Sequence, residues 1–256
     1  GYLALGKALK FRAAFAEEPE KAALLERAER AIRTALGASR RPSPDIYYHL
    51  ADVLEDRASY AEAESSFFRA LEESRAGGNS DIEVSSLRGL VRTASALGKP
   101  SEGDSWFKAL VDTGKATAWD WEEQGRRLDG RRQYRDAGRA YVRSAVLGGL
   151  WTNWCEAAGS FALVPGEEDA VLLYGRRCVN EGTGKKNAEN RLAGAHYQIA
   201  SVLNQRGVFE EALSHAREAC ALNPSDPWTF DAEAEALLGL RRFREAINAA
   251  KQAVRL

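Results

Sequence analysis

The 256-residue sequence contains no methionine, three cysteines, three histidines and seven prolines. Nowhere does an apolar run approach the roughly 18 to 20 residues that cross a bilayer, so membrane insertion is not expected. Gly1 to Phe15 lacks the continuous apolar core of a signal peptide. The chain therefore reads as soluble; its location is unknown, with the cytoplasm favoured. A chain that begins with Gly and has no Met suggests a fragment whose native targeting signals are missing.

Cys155, Cys178 and Cys220 are odd in number and lack the CxxC spacing of a metal or redox site, which points to free, largely buried thiols, with pairing of Cys155 and Cys178, at positions five and twenty-eight of one repeat, as the weaker alternative. His49, His196 and His215 fall in three separate helical frames. His196 reads as a packing residue, and His49 and His215 as solvated side chains. There is no HExxH, GxSxG or phosphate loop, and Gly182-Thr183-Gly184-Lys185-Lys186 reads as a flexible turn between repeats. No catalytic residue, metal site or cofactor is expected. Charge is equally uninformative about polyanions: Lys and Arg number 36 against 37 Asp and Glu, a net charge of -1.

What the sequence does have is a repeat. With 45% hydrophobic residues it can bury a continuous core, and six segments align when started at Pro44, Val84, Ala118, Trp151, Ala193 and Pro227. Two intervals run long. Gly77-Gly78-Asn79-Ser80 reads as a loop insertion, and Lys185 to Asn190 lengthens a linker or the next helix. The eighth position is Ala51, Val91, Gly125, Ala158, Ala200 and Ala234, and the twentieth is Ala63, Gly103, Ala137, Ala170, Ala212 and Ala246. Antiparallel helices whose axes approach to about 8 to 10 Å need small side chains at the crossing. Larger groups recur at position four (Tyr47, Leu87, Trp121, Trp154, His196, Phe230) and at position twenty-four (Phe67, Phe107, Tyr141, Tyr174). Apolar residues at i, i+3, i+4 and i+7, as in Tyr47, Leu50, Ala51 and Leu54, give each unit the reading helix, turn, helix. Turns are expected at Asp56-Arg57-Ala58, Gly98-Lys99-Pro100, Asp129-Gly130, Gly207 and Gly239. Asn223 to Pro227 supplies a stop and a restart.

This pattern resembles the tetratricopeptide repeat family, most clearly over Ala193–Asp226, where His196, Ile199, Ala200, Leu203, Gly207, Phe209, Ala212, Ala216, Ala219 and Pro224 match its marked positions. The Trp151 unit departs from it, with Glu167 in place of an aromatic and Arg177 in place of a small residue, and its second helix is expected to be shifted. The resemblance implies an all-α, right-handed superhelical solenoid of about seven antiparallel helix pairs. The pairs would form one domain over 1–256, with units 1–43, 44–83, 84–117, 118–150, 151–192, 193–226 and 227–256. Leu256 falls inside a second helix, so a truncated chain or self-association through the carboxyl end is expected.

In the resembling family the first helix of each pair lines a peptide-binding groove. Carried onto this chain, that groove starts acidic with Asp45, Tyr48, His49, Asp52, Glu55 and Asp56, then meets Arg88 and Arg92. It continues with Trp119, Glu122, Glu123 and Arg126 and ends in Tyr197, Gln198, Ser201, Asn204 and Gln205, neutral donors and acceptors suited to a peptide backbone. The equally weighted alternative leaves Arg88, Arg92 and Arg126 as a solvated face. Trp119 and Trp228 either face the groove or staple neighbouring units. The family's two-carboxylate clamp is absent, because Glu123 stands where Asn is required. The expected function is a scaffold for a protein or peptide, with an accessory domain of a larger protein as the alternative. A helical-repeat RNA binder is a lesser alternative, which Asp45, Asp52, Asp56 and Glu122 oppose.

Overall fold

The computed structural model describes all 256 residues and consists of fourteen α-helices and no strand. They divide into two compact units, Gly1–Ala116 and Thr117–Leu256. The first holds α1 (Tyr2–Ala13), α2 (Glu20–Ala38), α3 (Pro44–Asp56), α4 (Tyr60–Gly77), α5 (Ser80–Ala96) and α6 (Pro100–Asp112). The second holds α7 (Ala118–Gly130), α8 (Tyr134–Val146), α9 (Thr152–Ala162), α10 (Glu168–Gly182), α11 (Glu189–Gln205), α12 (Phe209–Leu222), α13 (Pro227–Gly239) and α14 (Phe243–Arg255). Odd and even helices pair as first and second members of seven hairpins, and the pair expected in residues 1–43 is present as α1 and α2.

Small residues sit where the helices cross. Ala63, Ala137 and Ala212 are fully buried and Ala246 nearly so, as are Ala51, Ala158 and Ala200 at the eighth position. A Cβ added to Gly125 would lie 2.7 Å from the Tyr141 ring, so the eighth and twenty-fourth positions of that unit are packed against each other with no spare volume. The Trp151 unit is displaced by one residue, as its sequence implies: Ala170 is only half-buried, and Val171, one position later, is the 1% exposed residue in the crossing. Its Arg177 packs 4.7 Å above the Trp154 ring, and Glu167 pairs with Arg135 at 2.7 Å. The two departures from the repeat pattern thus make contacts of their own.

Four expectations are corrected. The Gly77–Ser80 insertion is not a loop: α4 continues to Gly77, Gly78 takes a left-handed φ of 69°, and Asn79 caps α5, which starts at Ser80. The extra residues therefore lengthen two helices. The turns expected at Asp129-Gly130 and Gly239 fall later, at Arg132 and Arg241, whose φ values are 60° and 59°. Gly239 serves packing instead, since a Cβ there would meet the Phe209 ring at 2.3 Å. Two of the three thiols are not free: Cys155 on α9 and Cys178 on α10 form a disulfide, leaving Cys220 as the free thiol. The pair escaped a spacing search because 23 residues separate two cysteines that the antiparallel hairpin brings to a Cα separation of 5.0 Å. Lastly, neither His49 nor His215 is a solvated side chain. The His49 side chain is 21% exposed and lies 3.2 Å from Asp45. His215 Nδ1 lies 2.8 Å from Nδ1 of His196, across the α11–α12 hairpin, and its side chain is 20% exposed.

No helix is long and apolar enough to cross a membrane.

Candidate peptide-binding face

The residues expected to line a groove occupy the first helix of each pair, and the two units treat them differently. In the first unit, α1 lies against α3 and supplies lysines to its carboxylates. Lys7 Nζ donates to Asp45 at 2.9 Å, and Lys10 pairs with Asp52 and lies 3.6 Å from Asp56. Burial works against the Lys10 charge, but Asp52 and Asp56 outweigh it and raise its pKa. Burial raises the pKa of Asp56 despite Lys10. His49 Nε2 is 3.2 Å from Asp45, and burial, with Lys7, lowers its pKa.

The arginines of this face are also engaged. Arg92 forms a two-pronged pair with Glu55, Nε to Oε1 at 2.7 Å and a second nitrogen to Oε2 at 2.6 Å. Such paired charge-assisted bonds fix both geometry and charge. Arg88 donates to the Lys115 carbonyl at 3.5 Å. Tyr48 stacks near Phe67, with ring centroids 5.9 Å apart, and burial followed by Asp52 raises its pKa. The acidic wall read from the sequence is therefore neutralised by its own chain. Its lysines were missed because they come from the divergent first pair, whose register the repeat does not set.

In the second unit, Arg126 bonds Glu123 at 2.8 Å and stands 3.9 Å from Glu122, while Asn153 on α9 donates to Glu122 at 3.2 Å. Trp119 and Trp228 are 50% and 62% exposed, so neither is a buried staple. Beyond them opens a cavity of about 650 Å³. Its apolar wall is the end of α9 and the following loop, Phe161 to Pro165, with Val171 of α10 and Val202 of α11 below. Its polar wall is α11, through Tyr197, Gln198, Ser201 and Gln205, four of the five residues expected at this end of the groove. Gly159 also lines it: a Cβ there would come within 3.3 Å of Gln198 Nε2, so the absence of a side chain gives the amide its place.

The fifth residue, Asn204, is 9% exposed and turned toward α13, where its Nδ2 donates to the Ala232 carbonyl at 2.9 Å. It fastens α11 to α13 and does not line the cavity. Oε1 of Gln198 is buried and has no hydrogen-bond partner.

Position-by-position reading missed the α9–α10 loop and two carboxylates of α13. Asp231 and Glu235 occupy the fifth and ninth positions of the last unit, equivalent to Tyr197 and Ser201, and both are exposed. The signal for them was the repeat register itself. Burial, then Asp231, Glu235 and Asp226, raise the pKa of Tyr197, which places its hydroxyl in the field of α13. The loop could not be read in this way, because Leu163, Val164 and Pro165 fall where the Trp151 unit slips by one residue.

No family model matches the sequence, and no curated protein matches it either. Solved structures do match in fold. A tetratricopeptide repeat protein from Parabacteroides merdae superposes with a TM-score of 0.52 at 12% identity, over 98% of this chain and 92% of that one. A structure titled MamA AMB-1 superposes with a TM-score of 0.54 at 17% identity, over 69% of this chain and 92% of the other. MamA MSR-1 gives 0.52 at 16% identity, over 68% and 96%. With seven helix hairpins, small residues buried at the repeat crossings and these likenesses, the chain has the tetratricopeptide-repeat fold.

Proposed function

We propose that this chain is a partner-binding scaffold, not an enzyme, and that it holds an extended segment of another protein against the first-helix face of its second unit. The observation that carries this reading is the cavity of about 650 Å³, walled by Phe161 to Pro165 on one side and by Tyr197, Gln198, Ser201 and Gln205 on the other. An extended peptide offers what those walls take, an apolar side chain for the first and backbone N–H and C=O groups for the second. Burying apolar area is worth about 25 cal/mol per Å², so one inserted side chain would supply a meaningful part of a micromolar affinity. The carboxylates of Asp231 and Glu235 would repel phosphates, which supports a polypeptide over a nucleic acid.

Selection of displayed random peptides on the intact chain tests the proposal. Selected peptides should lose at least about tenfold in affinity with Ser201→Trp, which fills the cavity, and with Leu163→Asp on the exposed loop. Peptides indifferent to both changes contradict the proposal.

Two further elements of this reading rest on separate features. The Cys155–Cys178 disulfide supports an oxidising compartment over the cytoplasm, since reducing cytosols rarely preserve such bonds. Thiol counting on protein taken directly from its native source should find one reactive thiol under denaturing, non-reducing conditions; three would place it in a reducing compartment. Phe243, Ile247 and Val254 of α14 are exposed and support self-association through that helix. Sedimentation should show association that Ile247→Glu abolishes, and a monomer at all concentrations removes this element.

A further inference from the structure

We infer that the segment held by the second unit carries an apolar side chain and, about six residues along, a lysine or arginine. This rests on the reading above that the cavity holds an extended peptide, and it adds the guest's chemistry.

Charge complementarity selects the second feature. On the first-helix faces many acidic side chains have cations beside them: Lys7 for Asp45, Lys10 for Asp52 and Asp56, Arg92 for Glu55, Arg126 for Glu122 and Glu123. Asp231 and Glu235 do not. Both are exposed, neither is ion-paired, and Glu235 accepts only the Asn204 amide at 3.4 Å. A third carboxylate, Glu168, lines the cavity, where its Oε1 takes the Gly166 N–H at 3.1 Å. The face is therefore apolar at the α9–α10 loop, neutral along α11 and negative at α13.

Spacing links the two features. Leu163 follows α9 and the two carboxylates stand on α13, with α11 between them, so the sites are two helix spacings of about 8 to 10 Å apart. An extended chain advances about 3.3 Å per residue and returns its side chains to the same face at every second one, so a side chain seated beside Leu163 is followed about six residues later by one that reaches Asp231 and Glu235. Between them the backbone passes Tyr197, Gln198 and Ser201, whose polar groups suit a peptide backbone. One guest meets both demands, apolar volume and a missing cation. A wholly apolar helix would meet only the first.

The experiment selects peptides from a random dodecapeptide display library on the intact chain, then measures a synthetic consensus peptide by calorimetry. The expected consensus has Leu, Ile or Phe about six positions from Lys or Arg. Asp231→Asn combined with Glu235→Gln should weaken its binding at least about tenfold, and a version with Lys or Arg changed to Gln should bind equally poorly to both proteins. Circular dichroism confirms that the variants stay helical, and Leu163→Asp serves as the second variant where Ser201→Trp unfolds. If cavity-dependent peptides lack a basic residue, or the neutralised variant binds them unchanged, this inference falls and the peptide-binding proposal stands. If no peptide depends on Ser201 or Leu163, both fall.

Discussion

The first-helix faces of the two units carry comparable numbers of polar residues and put them to opposite use. In Gly1–Ala116 the acids and bases answer one another: Lys7, Lys10 and Arg92 close on Asp45, Asp52 and Glu55, and the face is spent on holding α1, α3 and α5 together. In Thr117–Leu256 α7 repeats such pairing through Arg126, but α11 holds neutral side chains at the same register positions beside a cavity, and two carboxylates of α13 are left without cations. A shared fold therefore does not make every stretch of its inner face a binding surface. What distinguishes them is whether the chain has already satisfied its own groups.

That contrast can be broken or sharpened in order of effect. The largest change should come from the packing common to both units. Gly125→Leu, driven into the Tyr141 ring, is expected to cost about 1 to 3 kcal/mol in denaturant unfolding. Ala200→Leu, at a fully buried crossing, should do the same. Next, Arg92→Met in the first unit should cost about 1 to 3 kcal/mol, because it strands Glu55, only 17% exposed, without its partner. Ser201→Ala in the second unit should cost under about 0.5 kcal/mol, as it does at sites that make no internal bond. Equal costs for these two changes would erase the distinction between the faces.

A smaller effect belongs to pH. Burial lowers the pKa of both His196 and His215, with His215 a further cause for His196. Glu211 and Glu218 oppose the shift, and Arg176, reaching in from α10, adds to it for His215. With the folded values below the ordinary 6.5, the hairpin's stability is fully present above that pH and falls as pH drops through the lowered values. The chemistry agrees, since the Nδ1 to Nδ1 bond needs one ring to donate and the other to accept, and two imidazolium rings can only donate. Melting temperature should drop between about pH 7 and about pH 5, and His215→Phe should flatten that drop. An unchanged slope would remove the pair from the account. The smallest effect on stability is that of Leu163→Asp, within about 0.5 kcal/mol at a 60% exposed position, while peptide binding is lost.

How much was readable beforehand follows the repeat. Where small residues recur at positions eight and twenty, the sequence located each crossing to the residue, and even the slip at Ala170 and Val171 was foreshadowed by Glu167 and Arg177. Tyr197, Gln198, Ser201 and Gln205 line one cavity for the same reason, since register alone sets which way a first-helix residue points. What register does not encode was missed or underweighted. The lysines on α1 lie in a divergent pair, His215 meets His196 across a hairpin from 19 residues away, and Cys178 meets Cys155 from 23, a contact that register allowed but did not favour. Each of these is a contact between helices, and its partner follows from packing rather than from position along the chain. Asp231 and Glu235 were within reach of the pattern, which extends to the last unit without modification.

The central claim is that the guest lies on the second unit and not on the first. It is tested most directly by titrating the selected peptide into isotopically labelled protein and mapping the backbone amide shifts by NMR. Saturable shifts gathered at Gly159, Leu163, Tyr197, Gln198 and Ser201, with Asp45 to Asp56 unmoved, are the expected result. Shifts centred on the ion-paired face of α3 would contradict it.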